Sequence, residues 1–220
     1  MSGKPDRLAV LVSGRGSNLQ ALLDAIAGQR LDAGIVGVFS NQPAADALER
    51  VAPPLRWSLD AKQCSGRAEF DQRMADAIAE RRPDWIVCAG YMRILGDDFV
   101  RRFAGRMLNI HPSLLPKYPG LHTHVHAIEA GDTEHGASVH FVNEHLDAGA
   151  LIAQAVIPII PGDTPDALAA RLLPREHRLL TAVMRLAVAG RLAERNGKAE
   201  IDGHCLLQPL RLDCDGSLMP

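Results

Sequence analysis

Aromatic residues are scarce in this chain: two Trp, two Tyr and five Phe among 220 residues. That is too few for a platform on which nucleic-acid bases stack. An excess of one charge is also missing. The formal net charge is -2, so no field draws the chain to DNA, RNA or an anionic membrane, and no local basic stripe replaces one. No apolar run reaches the ~18 residues that span a bilayer, and the opening Met1–Asp6 stretch has no apolar signal core. The four cysteines, Cys64, Cys88, Cys205 and Cys214, form no C-x-x-C pair. This argues against a zinc knuckle or a redox dithiol, and Cys88 reads as a small buried hydrophobe. These absences predict a protein of the reducing cytosol with no nucleic-acid and no membrane partner. Monomer and homodimer both remain open.

What is present is an ordinary globular mix, 47% hydrophobic and 23% charged. The length predicts one domain over residues 1–205 with a polar, mobile tail over 206–220. Unalternating apolar runs at Arg7–Val12, Ile35–Phe39, Trp85–Ala89 and Met107–Ile110 read as strands covered on both faces. Helical spacing falls at Asn18–Ala27, Ala44–Val51, Arg67–Arg81, Phe99–Phe103 and Val125–Ala130. Ala137–Val142 and Leu151–Ile160 are two further strands. Pro165–Ala189 is helical with a kink or break expected at Pro174, and the chain from Arg191 suggests a short hairpin. Strands alternating with helices predict an α/β fold: a Rossmann-like, mostly parallel twisted sheet with helices on both faces. Ligands then gather beyond the carboxyl ends of the strands.

The chemically informative residues fall at those ends. Ser13-Gly14-Arg15-Gly16-Ser17-Asn18 joins a strand to a helix, a turn whose N–H groups and dipole suit a phosphate; Ser17 or Asn18 can cap the helix. A dinucleotide is disfavoured, because Leu19 stands where G-x-G-x-x-G needs its last glycine, and Walker A fails too. A plain helix-capping turn is the other reading. Asn109 and His111 alternate on one strand face, ~6.5–7 Å apart along the chain. Together they offer a neutral donor and a proton-carrying ring for an oxygen that becomes negative, although a structural His is the common alternative. Asp147 sits in the turn Leu146-Asp147-Ala148-Gly149, either as a turn former or as an acid paired with an imidazole. Seven of the nine histidines lie between His111 and His145. His122, His124 and His126 form an H-x-H-x-H array, but no cysteine flanks it, and the prolyl loop and helix aim its rings apart, so no metal is expected.

The run Leu108-Asn109-Ile110-His111-Pro112-Ser113-Leu114-Leu115-Pro116-Lys117-Tyr118-Pro119-Gly120-Leu121-His122-Thr123-His124 resembles the phosphoribosylglycinamide formyltransferases, folate-dependent enzymes of purine synthesis. Ser13-Gly14 with Gly16-Ser17-Asn18, Ala89 to Leu95, His135-Gly136 with Ser138-Val139-His140, Leu146-Asp147 with Gly149, and Glu176-His177 extend the likeness over about residues 7 to 204. The resemblance implies formyl transfer from 10-formyltetrahydrofolate, a co-substrate and not a bound cofactor, to the amine of glycinamide ribonucleotide (GAR). It makes Asn109, His111 and Asp147 the catalytic trio. Gly14, Gly16, Ser17, Asn18, Gly120 and Glu176 would bind GAR. Arg67, Met92, Arg93, Ile94, Leu95, Asn109, His140, Asn143 and Asp147 would face the folate, and Ser138, with Gly120 and His140, would support the trio. In the implied mechanism Asn109 and a protonated His111 hold the oxyanion while Asp147 keeps the ring charged. Activity should then fall in acid as the acceptor amine protonates and Asp147 is neutralised.

Three positions depart from the family pattern: Glu176-His177 is followed by Arg178-Leu179-Leu180 where Tyr-Pro is common, Leu173 replaces a polar residue, and Ala150 a proline. Two relatives share the trio. Methionyl-tRNA formyltransferase normally adds an RNA-binding domain, and formyltetrahydrofolate deformylase an N-terminal regulatory one. The first is disfavoured because its extra domain is C-terminal and the chain has neither that length nor a basic surface; the second because a first strand starting near Arg7 is read as leaving no room for its N-terminal domain. A deformylase-type hydrolase and a non-catalytic phosphosugar or nucleotide binder are the alternatives.

Overall fold

The computed structural model describes residues 4–220; the reading of Met1–Gly3 lies outside them. The chain divides into two compact units, the first ending at Asn109 and the second running Ile110–Pro220. The division falls inside the single domain expected over residues 1–205.

The first unit is a parallel α/β arrangement. In chain order it holds β1 (Asp6–Val12), α1 (Ser17–Ala27), β2 (Ala33–Ser40), β3 (Arg56–Ser58), α2 (Arg67–Glu80), β4 (Trp85–Cys88), α3 (Asp97–Arg102) and the start of β5 (Met107–His111). Its strands lie in the order β5-β4-β1-β2-β3, every neighbouring pair parallel. Leu8–Val12 and Ile86–Cys88 are buried without alternation, as strands covered on both faces must be. The helix expected over Ala44–Val51 is a single 3₁₀ turn at Asp46–Arg50.

The second unit carries α4 (Thr123–Glu129), β6 (Glu134–Phe141), β7 (Leu151–Pro158), α5 (Pro165–Val188), β8 (Leu192–Arg195), β9 (Lys198–Ile201), β10 (His204–Cys205), β11 (Leu210–Leu212) and β12 (Leu218–Met219). β6 and β7 pair antiparallel, with a register shift between Val139 and His140. β8, β9 and β10 form a small separate sheet, the expected hairpin with one strand added.

Two expectations are corrected here. α5 does not break at Pro174 but runs unbroken for 24 residues. A mid-helix proline costs ~3 kcal/mol. Against it, Leu168, Leu172, Leu179, Leu180, Val183 and Met184 are all buried along the helix, each contributing ~1.5–3 kcal/mol, so packing decides. The segment 206–220 is also not a loose tail. β11 adds parallel to β7, Leu210 opposite Ala153, and Leu212 is buried. Arg175 on α5 donates to the carbonyls of Asp213 (3.0 Å) and Leu212 (2.7 Å).

Candidate active site

β5 delivers His111 at its last position, and Pro112 ends the strand. The ring is buried, 5% exposed. Its Nε2 lies 2.9 Å from the Tyr118 carbonyl oxygen and its Nδ1 3.4 Å from Asp147 Oδ2. Asp147 occupies the turn between β6 and β7 in a left-handed conformation, φ 50°. Its carboxylate also accepts the Gly120 N–H at 2.8 Å and faces His140 Nε2 at 3.6 Å. Gly149 lets the turn close, since a Cβ there would stand 1.8 Å from the Phe141 carbonyl oxygen. Asn143 straps the same turn by donating to the Ala148 carbonyl (3.3 Å) and accepting the His145 N–H (3.0 Å). The register shift in β6 falls at His140, and such irregularities re-aim a side chain. His140 Nδ1 faces the Phe141 carbonyl at 2.6 Å, and its Nε2 is turned toward the Asp147 carboxylate.

The electrostatics differ from the resting charge that was expected. Burial pushes the His111 imidazole below its ordinary value; the Tyr118 carbonyl and Asp147 oppose this without reversing it. Burial alone would raise the Asp147 carboxyl, but the His140 and Gly120 hydrogen bonds and the charges of the two rings hold it below the usual carboxylate value. At rest near neutrality the ring is therefore uncharged beside a firmly ionised carboxylate. Both ring nitrogens face acceptors, so whichever tautomer the neutral ring adopts leaves one acceptor unserved. A proton arriving at the ring satisfies both.

Ser138 ties the neighbouring loop down. Its hydroxyl donates to the Ser113 carbonyl (2.7 Å) and accepts from the Leu115 N–H (3.1 Å) and from Gln154 Nε2 (2.9 Å). The H-x-H-x-H rings diverge. His122 is the left-handed residue before α4, His124 Nδ1 meets His135 Nε2 at 2.9 Å, and His126 stacks on Tyr118. Among the described residues no three His, Cys, Asp or Glu side chains converge as metal ligands would.

In the first unit α1 starts at Ser17, and the residue before it is Gly16 in a left-handed conformation with no side-chain cap. The cap position thus falls one residue earlier than expected, on Gly16, which has no side chain with which to close the first turn. Ser13 links this loop to the segment after β4: its hydroxyl donates to Asn41 Oδ1 (2.6 Å) and accepts the Met92 N–H (2.8 Å). Residues 91–94 alternate, with Met92 63% and Ile94 57% exposed while Tyr91 and Arg93 turn inward. Arg67 donates to the Leu95 carbonyl at 2.5 Å. Asn109, two residues before His111 on β5, is half-buried and sits opposite Cys88 of β4. Glu176 is buried on α5.

Residues 6–184 match the family described as Formyl transferase. The chain belongs to the formyl transferase family. It is 45% identical over 201 residues to the phosphoribosylglycinamide formyltransferase of Escherichia coli (strain K12), covering 90% of this chain and 95% of that protein. Identity to the protein of the same name from Haemophilus influenzae is 44% over 202 residues, 91% and 95% of the two chains. Among solved structures, the phosphoribosylglycinamide formyltransferase of Coxiella burnetii in complex with CHES superposes with a TM-score of 0.87 at 44% identity, over 92% of this chain and 96% of that one. The mixed, mostly parallel Rossmann-like fold expected from the strand pattern is thereby shown.

In this formyl transferase the residues that reading the sequence missed are those whose partners are remote. The Tyr118 carbonyl that bonds His111 carries no side-chain signal. Gln154 lies on a buried strand and looks like an interruption of it. The link from Asp147 to His140 depends on a register shift that no spacing reveals.

Proposed function

We propose that the chain transfers the formyl group of 10-formyltetrahydrofolate to the glycyl amine of 5'-phosphoribosylglycinamide, giving formyl-GAR and tetrahydrofolate, a step of purine synthesis. The observation that carries this reading is His111 held between two acceptors, the Asp147 carboxylate and the Tyr118 carbonyl. The amine attacks the formyl carbon and a tetrahedral oxyanion forms. Asn109 donates to it from the preceding same-face position of β5. The amine gives up its proton as the C–N bond forms, and His111 takes it. The imidazolium so formed is stabilised by Asp147 on one side and Tyr118 on the other. Collapse expels the folate nitrogen, which recovers the proton. Asp147 therefore acts by stabilising a charge made during the reaction, not by storing one beforehand. Its own ionisation lies too low for its loss to set the acid limit of activity, which falls to the acceptor amine and His111.

The remaining assignments follow the family pattern. Gly14, Gly16, Ser17 and Asn18 take the phosphate at the start of α1, Glu176 the ribose, and Met92, Ile94 and the backbone to Leu95 the pterin end of the folate. Arg67 and Arg93 act on that segment, and Asn143 and His140 hold the Asp147 turn. Gly120 spends its N–H on Asp147, so its part in holding GAR is through the carboxylate's position.

Purified protein given both substrates should form tetrahydrofolate, followed by folate absorbance, only when GAR is present. Formate released without an acceptor would replace this reading with a deformylase, and binding of GAR without turnover would replace it with a phosphosugar binder.

A further inference from the structure

One stripe of α2, residues 67, 70, 71 and 74, is given over to the segment Tyr91–Gly96. These positions are three and four apart and share a helix face. Tyr91 donates to Met74 Sδ at 3.7 Å. The Arg93 guanidinium lies 4.8 Å over the Phe70 ring. Arg67 bonds the Leu95 carbonyl, and Asp71 Oδ2 accepts the Gly96 N–H at 2.9 Å. Every inward contact of the segment named here thus lands on one helix, which leaves Met92 and Ile94 facing outward.

Asp71 is the costly member of this stripe. It is 5% exposed and has Arg67 Nε at 3.6 Å, yet its Oδ1 is buried without a hydrogen-bond partner, as is Arg93 Nε. Burial pushes its carboxyl up, against the Gly96 N–H and the charges of Arg67 and Arg93. A half-satisfied buried carboxylate is a poor device for stability. It makes sense as the one anion that neutralises two arginines and pins the end of a segment that must present its other face.

We propose that Asp71 is a positioning residue for the folate-facing segment Met92–Leu95, fixing it through Gly96, Arg67 and Arg93; this rests on the folate reading above. Asp71→Asn keeps an acceptor for Gly96 and removes the charge. Asp71→Leu removes both. The KM for 10-formyltetrahydrofolate should rise about threefold in the Asn variant and about tenfold in the Leu variant, the scale of a lost hydrogen bond to a charged group. The KM for GAR and kcat should stay within about twofold of wild type, since only the folate segment moves. The Gly96 amide should lose hydrogen-exchange protection in the Leu variant and keep it in the Asn variant. Unchanged folate KM in the folded Asn variant, or equal rises for both substrates, would overturn the proposal. If wild-type protein neither binds tetrahydrofolate nor forms formyl product, the functional reading falls first and takes this one with it. Active wild type with kinetically silent variants sinks Asp71 alone.

Discussion

Around Asp147 the second unit buries titratable groups against one another: two imidazoles and a backbone N–H converge on one carboxylate in a left-handed turn. Along Tyr91–Gly96 the first unit does the reverse, anchoring its polar groups on a helix behind and turning Met92 and Ile94 out to solvent. A polar cluster in a poorly hydrated place is expensive to build but needs little reorganisation when charge develops, which is what lowering a barrier requires. Exposed apolar side chains on a fixed backbone are inexpensive and gain only when a ligand covers them, which is what affinity requires. On the proposed function, the first arrangement serves turnover and the second serves binding.

Substitutions that divide kcat from KM test that separation, and the largest effect belongs to the chemistry. His111→Ala should lower kcat about 10²–10⁴-fold, the loss of the group that takes the amine proton in the transition state, with both KM values nearly unchanged. Ile94→Ala should leave kcat alone and raise the folate KM roughly tenfold, the scale of one aliphatic side chain covered on binding. Steady-state kinetics on the two variants decides it. A kcat loss in Ile94→Ala as large as that in His111→Ala would erase the contrast.

The next effect is on folding. A Cβ at Gly149 would stand 1.8 Å from the Phe141 carbonyl oxygen, so the backbone of the Asp147 turn must yield. Gly90 has a positive φ, 78°, but an added Cβ there would meet nothing within 4 Å. Gly90→Ala should therefore cost only the left-handed strain, ~1–2 kcal/mol. Gly149→Ala should cost about 4 kcal/mol or more, at the far end of single substitutions, and take activity with it. Urea unfolding of both variants measures the gap; equal costs would mean the turn is less constrained than its geometry says.

This contrast also explains what could be read from the residues alone. Buried strands show as unalternating apolar runs, so β1, β2, β4 and β5 were legible. A strand's period of two put Asn109 and His111 on one face and a tight turn marked Asp147, but each pattern also had a structural reading, and the resemblance carried by Leu108–His124 is what joined the three into one site. Asp71 was not legible: between Arg67 and Ala75 it looks like one more surface charge on an amphipathic helix, and only the fold shows Gly96 arriving at it. Pro174 misled because a proline's local cost is visible in a sequence and the burial of six aliphatic side chains that outweighs it is not. Segment 206–220 misled because its aspartates are apparent, whereas the carbonyls that Arg175 and Arg178 reach for are not.

The smallest effect is a pH dependence of stability, and its sign differs between the two regions. Burial lowers His111 and His124. Burial and then the neighbouring His124 charge push His135 down to about 4, against the opposing Asp132 charge and a Pro112 backbone contact. Unfolded, each ring takes its proton near pH ~6.5; folded, these three take it only at lower pH. As pH falls below about 6.5 the unfolded chain binds more protons, so acid draws the equilibrium toward it. Asp147, held low, adds its own loss only below the ordinary carboxylate range. Asp71, held high, works the other way: the folded chain takes that proton first, so acid relieves its burial. For His135 alone the loss on going from pH 7 to pH 5 is on the order of 2 kcal/mol. Urea midpoints at the two pH values should show wild type weakening in acid and His135→Gln weakening less by about that amount. Parallel slopes would mean that the His124–His135 contact is not the acid-sensitive joint of the second unit.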